Sequence, residues 1–122
     1  MQLKPINQQV VAVVGASSGI GRVAALQFAN RGAKVVVAAR SQPGLESLVE
    51  EIRSLGGDAT AVVADVSDFE QVTKIAQTAV DTYGRLDTWV HNAAIELYAA
   101  FAVTTPEEFK RIIEVNLLGQ AY

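Results

Sequence analysis

The fold of this chain is decided by an apolar run that leads into a glycine-rich segment, Val10-Val11-Ala12-Val13-Val14-Gly15-Ala16-Ser17-Ser18-Gly19-Ile20-Gly21. The first five residues are apolar and mostly β-branched, which predicts a strand buried on both faces. The positions after the glycine turn have the apolar spacing of a helix. A strand, a glycine turn and a helix in this order place backbone N–H groups and a helix N-terminus where they can bind a phosphate.

The rest of the chain alternates between short apolar runs and helical periodicity. We predict strands at residues 10–14, 34–39, 59–64 and 86–91, and helices at 19–31, 42–55, 68–83 and 106–119. This alternation predicts a doubly wound, Rossmann-type α/β fold: a parallel sheet of strand order 3-2-1-4 with helices on both faces. Residues 1–122 would form one dinucleotide-binding domain. Because the fourth strand would leave an unpaired parallel edge, we expect the fold to be incomplete at its C-terminal side and the natural protein to continue beyond Tyr122.

Residues that end or begin helices support these boundaries. Gly32 and Gly56 follow predicted helices, where glycine adopts the left-handed conformation at low cost. Asp68 is a candidate N-cap, and Thr105-Pro106-Glu107-Glu108 has the pattern of a capping box with proline at the first helical position.

Composition excludes several classes of protein. The 122 residues contain no cysteine and one histidine, which argues against disulfides, thiol catalysis and a metal site. A net charge of −3 offers no basic surface for nucleic acid. No apolar run approaches the ~18 residues of a membrane span, and the first residues do not resemble a signal peptide. We therefore expect a soluble cytoplasmic protein without nucleic-acid or membrane partners.

The glycine turn has the spacing Gly15-x-x-x-Gly19-x-Gly21, which differs from the general G-x-G-x-x-G fingerprint. Each glycine can still be given a physical role. Gly15 allows the tight exit from the strand, Gly19 lets the backbone approach a pyrophosphate, and Gly21 permits close packing of helix on strand. The hydroxyls of Ser17 and Ser18 add short donors to the turn.

Four ordered segments of the chain resemble motifs of the short-chain dehydrogenase/reductase family. They are the turn from Gly15 to Gly21, Asp65-Val66 after the third strand, His91-Asn92-Ala93-Ala94 after the fourth, and Asn116 within Glu114-Val115-Asn116-Leu117. His91 and Ala94 depart from the family pattern, which has asparagine and glycine there. The resemblance implies a cofactor site made of the first three segments, Ile20, Ala93 and Ala94 included. It also implies that Asn116 belongs to the family's catalytic tetrad.

The same resemblance implies particular roles for three of these residues. Asp65 would bind the adenine amino group, Asn92 would hold the cofactor ribose, and Asn116 would hold a water in a proton relay. From the residues alone, Asp65 could instead help cap the next helix, and Asn116 could face solvent. We do not interpret His91 as a general base, because local spacing places no carboxylate beside it.

The end of the second strand bears on the choice of cofactor. An acidic residue there would bind the ribose 2′-hydroxyl of NAD, but this chain has Arg40 followed by Ser41. A guanidinium can bind a 2′-phosphate in a bidentate fork, so NADP(H) is favoured over NAD(H). The alternative is a solvated arginine at a strand end. For Arg22, in the first turn of the first helix, we expect an exposed side chain rather than a ligand contact.

The resemblance implies an NADP(H)-dependent oxidoreductase that transfers a hydride to or from a carbonyl or alcohol carbon, and a homo-oligomer in the full-length enzyme. The family's serine, tyrosine and lysine are expected beyond the covered chain, so these 122 residues alone should be inactive. The rival hypothesis is a non-catalytic dinucleotide-binding module. A methyltransferase-type domain is disfavoured, because its second strand should end in an acid where Arg40 stands.

Overall fold

A computed structural model describes residues 3–122 as alternating strands and helices. In chain order these are β1 (Val10–Val14), α1 (Gly19–Asn30), β2 (Lys34–Ala39), α2 (Gln42–Ser54), β3 (Asp58–Val63), α3 (Phe69–Tyr83), β4 (Thr88–His91) and α4 (Pro106–Ile113). A π-helical turn, Glu114–Leu118, and α5 (Gly119–Ala121) follow α4 directly, and short 3-10 helices lie at Ile6–Gln8 and Phe101–Val103. All strand pairs are parallel, in the order β3-β2-β1-β4. The predicted fold class and strand order are confirmed.

Two of the predicted strands need correction. β3 covers Asp58–Val63 instead of 59–64, so the strand begins and ends one residue earlier than predicted. β4 begins at Thr88 and not at residue 86. The Asp87 carboxylate accepts hydrogen bonds from the backbone N–H of Val10, at 2.9 Å, and from Arg85. The Val10 N–H is therefore bonded to a side chain and not to the backbone of the next strand, and the paired register begins at Val11 and Thr88.

The helix boundaries follow the sequence signals except at the last helix. Gly32 and Gly56 have φ of +86° and +83° just after α1 and α2, each of which ends one residue before the predicted limit. The Asp68 side chain caps α3 by accepting from the Gln71 N–H, and Thr105 caps α4 in a complete capping box. The helix predicted over 106–119 is not regular, because its α-helical bonding changes to the π pattern at Glu114.

Apolar side chains on both faces of the sheet form the core. On one face, β1 and β2 pack against α1 and α2 through Val11, Val13, Val35, Val37, Ala25, Leu45, Leu48 and Ile52. On the other face, they pack against α3 and the π-helical turn through Ala12, Val14, Val36, Ala38, Val72, Ile75, Ala79 and Val115. Burying each large apolar side chain contributes about 1.5–3 kcal/mol. The helices packed on the two faces hold the carboxyl ends of the parallel strands together at one edge of the sheet, and a cavity opens at that edge.

Candidate cofactor site

A cavity of about 640 Å³ lies at the carboxyl edge of the sheet. Val14 and Ala39, the last residues of β1 and β2, line it, as do Ala64 and Asn92, which directly follow β3 and β4. The strand order reverses between β1 and β4, and in open α/β sheets such a switch point is where ligands bind. Most of the residues predicted for a cofactor site line this cavity: Gly15, Ser17, Ser18, Gly19, Ile20, Arg40, Ser41, Asp65, Val66, Asn92, Ala93 and Ala94. Gly21 and Asn116 lie behind the lining.

The glycine turn brings backbone segments closer together than side chains would allow. A Cβ on Gly15 would lie 2.7 Å from the Ala93 nitrogen, and Gly15 also has φ of +84°. A Cβ on Gly21 would overlap the Gly15 carbonyl oxygen and lie 3.1 Å from Asn92 Nδ2. Gly19, with φ of +57°, has open space where its Cβ would be. The turn is therefore packed tightly behind and open towards the cavity.

The N-terminus of α1 points its first turn at this cavity. Ser18 is the N-cap, with an extended backbone, and its side chain makes no capping hydrogen bond. The first N–H groups of a helix have no intrahelical partners and carry the positive end of the helix dipole. They lie beside Ser17, Gly19 and Ile20, which line the cavity, and groups of this kind can receive an anion.

The loop between β2 and α2 supplies an exposed positive charge to the cavity. Arg40 is exposed, and within residues 3–122 its guanidinium forms no ion pair. Ser41 caps α2 by accepting from the Gly44 N–H at 3.3 Å, so its own hydroxyl proton stays available for donation. A Cβ on Gly44 would lie 2.9 Å from the Ser17 Cβ, so the first turn of α2, directly after this loop, packs on the glycine turn.

Arg22 does not have the exposed, unattached side chain that the sequence suggested. Its guanidinium donates to the Gly44 carbonyl at 3.2 Å, to Ser47 Oγ at 3.3 Å and to Glu51 Oε2 at 2.6 Å. These contacts join α1 to the first turns of α2. Arg22 thus fixes the loop that carries Arg40 and is not among the residues that line the cavity.

Asp65 has a carboxylate held from two sides. Its Oδ1 accepts from the Ser67 N–H at 2.9 Å and the Ser67 hydroxyl at 2.7 Å, and its Oδ2 accepts from Arg111 Nη2 at 2.8 Å. Partial burial alone would raise the pKa of Asp65, but the hydrogen bonds from Ser67 and Arg111 outweigh it and lower the pKa to about 2. The carboxylate is therefore ionised at neutral pH. Capping of α3 falls to Asp68, which leaves Asp65 facing the cavity.

The segment after β4 closes the cavity on its other side. Its first residue, Asn92, donates its backbone N–H to the Val14 carbonyl at 2.8 Å, which extends the β1–β4 ladder to the cavity rim. His91 precedes it but does not line the cavity, and both of its ring nitrogens are shielded from solvent. Burial lowers the pKa of His91 and favours the neutral imidazole.

Asn116 lies within the π-helical turn and holds the end of this segment. Its Oδ1 accepts from the Ile95 N–H at 2.9 Å, and its Nδ2 donates to the Ile95 carbonyl at 2.8 Å. The amide retains one donor and one acceptor position beyond these bonds. Asn116 is thus half-buried and hydrogen-bonded, not directed only at solvent, and it fixes Ile95, a lining residue.

Several lining residues were not predicted, chief among them Arg111 of α4, Val115 of the π-helical turn and Ile95. The spacing of Arg111, Val115 and Gly119 places all three on one helix face. Val115 is buried, and a Cβ on Gly119 would lie 2.8 Å from the Val66 carbonyl oxygen. The four-residue spacing of Arg111, Val115 and Gly119 could have indicated from the sequence that this helix face packs against the loop after β3.

Within residues 3–122, no group of three or more histidine, cysteine, aspartate or glutamate side chains is arranged to hold a metal ion. Over the same residues, no helix is both long and apolar enough to cross a membrane.

The parallel sheet, the glycine turn against a helix N-terminus and the cavity at the switch point define a Rossmann-type nucleotide-binding domain. The family model described as short chain dehydrogenase matches residues 9–121. The chain therefore belongs to the short-chain dehydrogenase/reductase family, as the motifs predicted.

Relatives and solved structures agree with this assignment. The chain is 45% identical over 122 residues to the uncharacterized oxidoreductase YxnA of Bacillus subtilis, covering all of this chain and 34% of that protein. It is 42% identical to versicolorin reductase stcU of Emericella nidulans, over 96% of this chain and 45% of that protein.

Two crystal structures have the same fold over almost the whole chain. A short chain dehydrogenase from Mycobacterium avium superposes with a TM-score of 0.91 and 39% identity, covering 97% of this chain and 45% of that one. A variant of actinorhodin polyketide ketoreductase, crystallised with NADPH, gives 0.89 and 30%, covering 98% and 46%. The chain thus spans between a third and a half of the length of these proteins.

Proposed function

We propose that residues 1–122 form the NADP(H)-binding half of a longer short-chain oxidoreductase, which transfers a hydride between NADP(H) and a carbonyl or alcohol carbon. The observation that carries the choice of cofactor is Arg40, an exposed guanidinium that lines the cavity at the end of β2, where no carboxylate stands. A guanidinium attracts a 2′-phosphate and a carboxylate would repel it. The relative crystallised with NADPH supports this choice.

The cavity residues fit such a dinucleotide. Because Gly15 and Gly21 have no Cβ, the glycine turn packs close to the strand ends. This leaves the backbone N–H groups at the N-terminus of α1 free to receive the pyrophosphate. Arg40 and Ser41 would hold the 2′-phosphate. Ser17 would lie beside them, because Gly44 lets the first turn of α2 approach the glycine turn closely.

The remaining lining residues would hold the two nucleoside ends. Asp65 and Val66 would receive the adenine, and Asn92, Ala93 and Ala94 the ribose on the far side of the turn. When bound, the nicotinamide supplies or accepts the hydride. The protein's part is to orient the cofactor and exclude water.

Asn116 would contribute to catalysis by support rather than by direct proton transfer. Its two bonds to Ile95 fix the segment after β4, and its remaining amide positions can hold a water. The acid/base tyrosine and its lysine and serine partners are proposed to lie outside these residues. We also propose that the full-length enzyme is a homo-oligomer and that its substrate is a small, uncharged carbonyl or alcohol compound.

The test uses the full-length protein and Arg40→Asp. Dissociation constants for NADPH and NADH are measured by fluorescence titration. A hydrogen bond to a charged group contributes about 1.5–3 kcal/mol, so NADPH should bind roughly 10–100-fold more weakly to the variant, with little change for NADH. The matched control is Arg31→Asp, the same charge change at the far end of α1, outside the cavity.

An unchanged ratio of NADPH to NADH affinity in Arg40→Asp would contradict the 2′-phosphate assignment. Activity is then assayed with NADPH and a panel of ketones and aldehydes. Tight NADPH binding with no turnover of any carbonyl would favour the alternative, a non-catalytic dinucleotide-binding module.

A further inference from the structure

Arg111 joins the last long helix to the loop after β3. From α4, its Nη2 donates to Asp65 Oδ2 at 2.8 Å and its Nη1 donates to Ser67 Oγ at 2.6 Å. The two nitrogens of one planar group thus engage two acceptors of the same loop. A fork of this kind fixes direction as well as distance, which a lysine ammonium does not.

The helix face that carries Arg111 forms one wall of the cavity. Arg111 and Val115 both line it, and Gly119, further along the same face, packs against Val66. The loop from Asp65 to Ser67 is therefore held against this helix at two levels, by the guanidinium and by the glycine contact.

The Asp65 carboxylate keeps one acceptor position after its internal bonds are counted. Each carboxylate oxygen offers about two lone-pair sites. Two bonds from Ser67 occupy those of Oδ1, whereas Oδ2 receives a single bond, from Arg111. Since Asp65 lines the cavity, the remaining site on Oδ2 is available to a ligand donor.

We infer that Arg111 is a positioning residue for recognition of the purine base: it orients Asp65 so that the free site on Oδ2 accepts a hydrogen bond from the 6-amino group of adenine. This inference rests on the proposed function, since it requires a dinucleotide in the cavity. The low pKa of Asp65 supports it, because the carboxylate remains an acceptor at any pH near neutrality.

The experiment compares NADPH with its hypoxanthine analogue, which has a 6-oxo group in place of the 6-amino group. Both are titrated against the full-length protein, the Arg111→Met variant and the Arg111→Lys variant. The wild type should prefer NADPH by about tenfold, the factor equivalent to one charge-assisted hydrogen bond of about 1.4 kcal/mol. Arg111→Met should reduce this preference to threefold or less, and Arg111→Lys should give an intermediate value.

Lys110→Met is the matched control, because Lys110 is the neighbouring exposed cation and its ion pair is with Glu114, in the π-helical turn that follows α4. It should retain the full base preference. A merely structural role for Arg111 would weaken both cofactors equally and leave their ratio unchanged, and that result overturns the inference. A wild type that binds both cofactors equally also overturns it. If the wild type binds neither, the proposed function itself has failed.

Discussion

Gly21→Ala offers a sharp test of the packing behind the cofactor site. The new Cβ would overlap the Gly15 carbonyl oxygen, and it would lie 2.9 Å from the Gly15 carbonyl carbon and 3.1 Å from Asn92 Nδ2. The first two obstacles are backbone atoms at the exit of β1, which cannot rotate away. The turn must therefore move off the N-terminus of α1.

Two effects of opposite sign compete in this variant. Alanine in a helix is ordinarily more favourable than glycine by about 0.5–1 kcal/mol. Overpacking against a well-ordered neighbour costs about 1–3 kcal/mol, occasionally more. Because the obstacle here is backbone, we take the upper part of that range, and the expected result is a net loss of about 2 kcal/mol in the free energy of unfolding. NADPH affinity should fall at least tenfold, because the displaced turn carries the N–H groups that we propose to bind the cofactor phosphates.

Denaturant unfolding and NADPH titration of the same preparations measure both effects. The control is Gly56→Ala, in the turn after α2, where φ is +83° and a Cβ would meet nothing within 4 Å. That variant should lose about 1–2 kcal/mol from left-handed strain and keep its NADPH affinity. A Gly21→Ala protein that is as stable as the wild type and binds NADPH equally well would refute the reasoning.

Two further predictions concern the elements that border the cavity. The pKa of Asp65 is about 2 when folded against an ordinary 3.8, so its ionisation stabilises the fold above pH ~4 by up to about 2 kcal/mol, and this is lost as the pH falls through 2. Urea unfolding between pH 2 and 5 should show a shallower acid dependence for Asp65→Asn, and equal slopes would disprove the assignment. Thr105→Ala removes the acceptor for the Glu108 N–H and should cost about 1 kcal/mol in thermal or urea unfolding, whereas Thr105→Ser should restore most of it.

The sequence predicted the elements whose burial is uniform more accurately than those at the border of the sheet. The bounds of β1 and β2 match because nearly all of their residues are buried, which leaves a continuous apolar run. β4 is shorter than predicted because Asp87 bonds to Val10, a partner 77 residues away. The π-helical turn at Glu114 also escaped prediction, since one altered hydrogen-bond step leaves the apolar pattern of the helix almost unchanged.

The candidate site divides in the same way. Residues that act from a single turn, such as Ser18 and Gly19, could be placed from local spacing alone. Arg22 and Arg111 could not, because their partners lie on other elements: Glu51 is 29 positions from Arg22, and Asp65 is 46 from Arg111. Side-chain reach between helices depends on how the sheet brings them together. For Arg111, the local indication of such a contact was its spacing from Val115, which places the two residues on the same helix face.

The close approach of Gly44 to Ser17 has a consequence for redesign of coenzyme preference. Arg40, Ser41 and Gly44 form one short stretch that would naturally be exchanged as a cassette. Any residue larger than glycine at position 44 meets the Ser17 Cβ, which belongs to the glycine turn after β1. A cassette that keeps glycine at position 44 avoids this contact, whereas one that brings a larger residue there would have to shift α2 away from the glycine turn, so the choice at position 44 is tied to the position of Ser17.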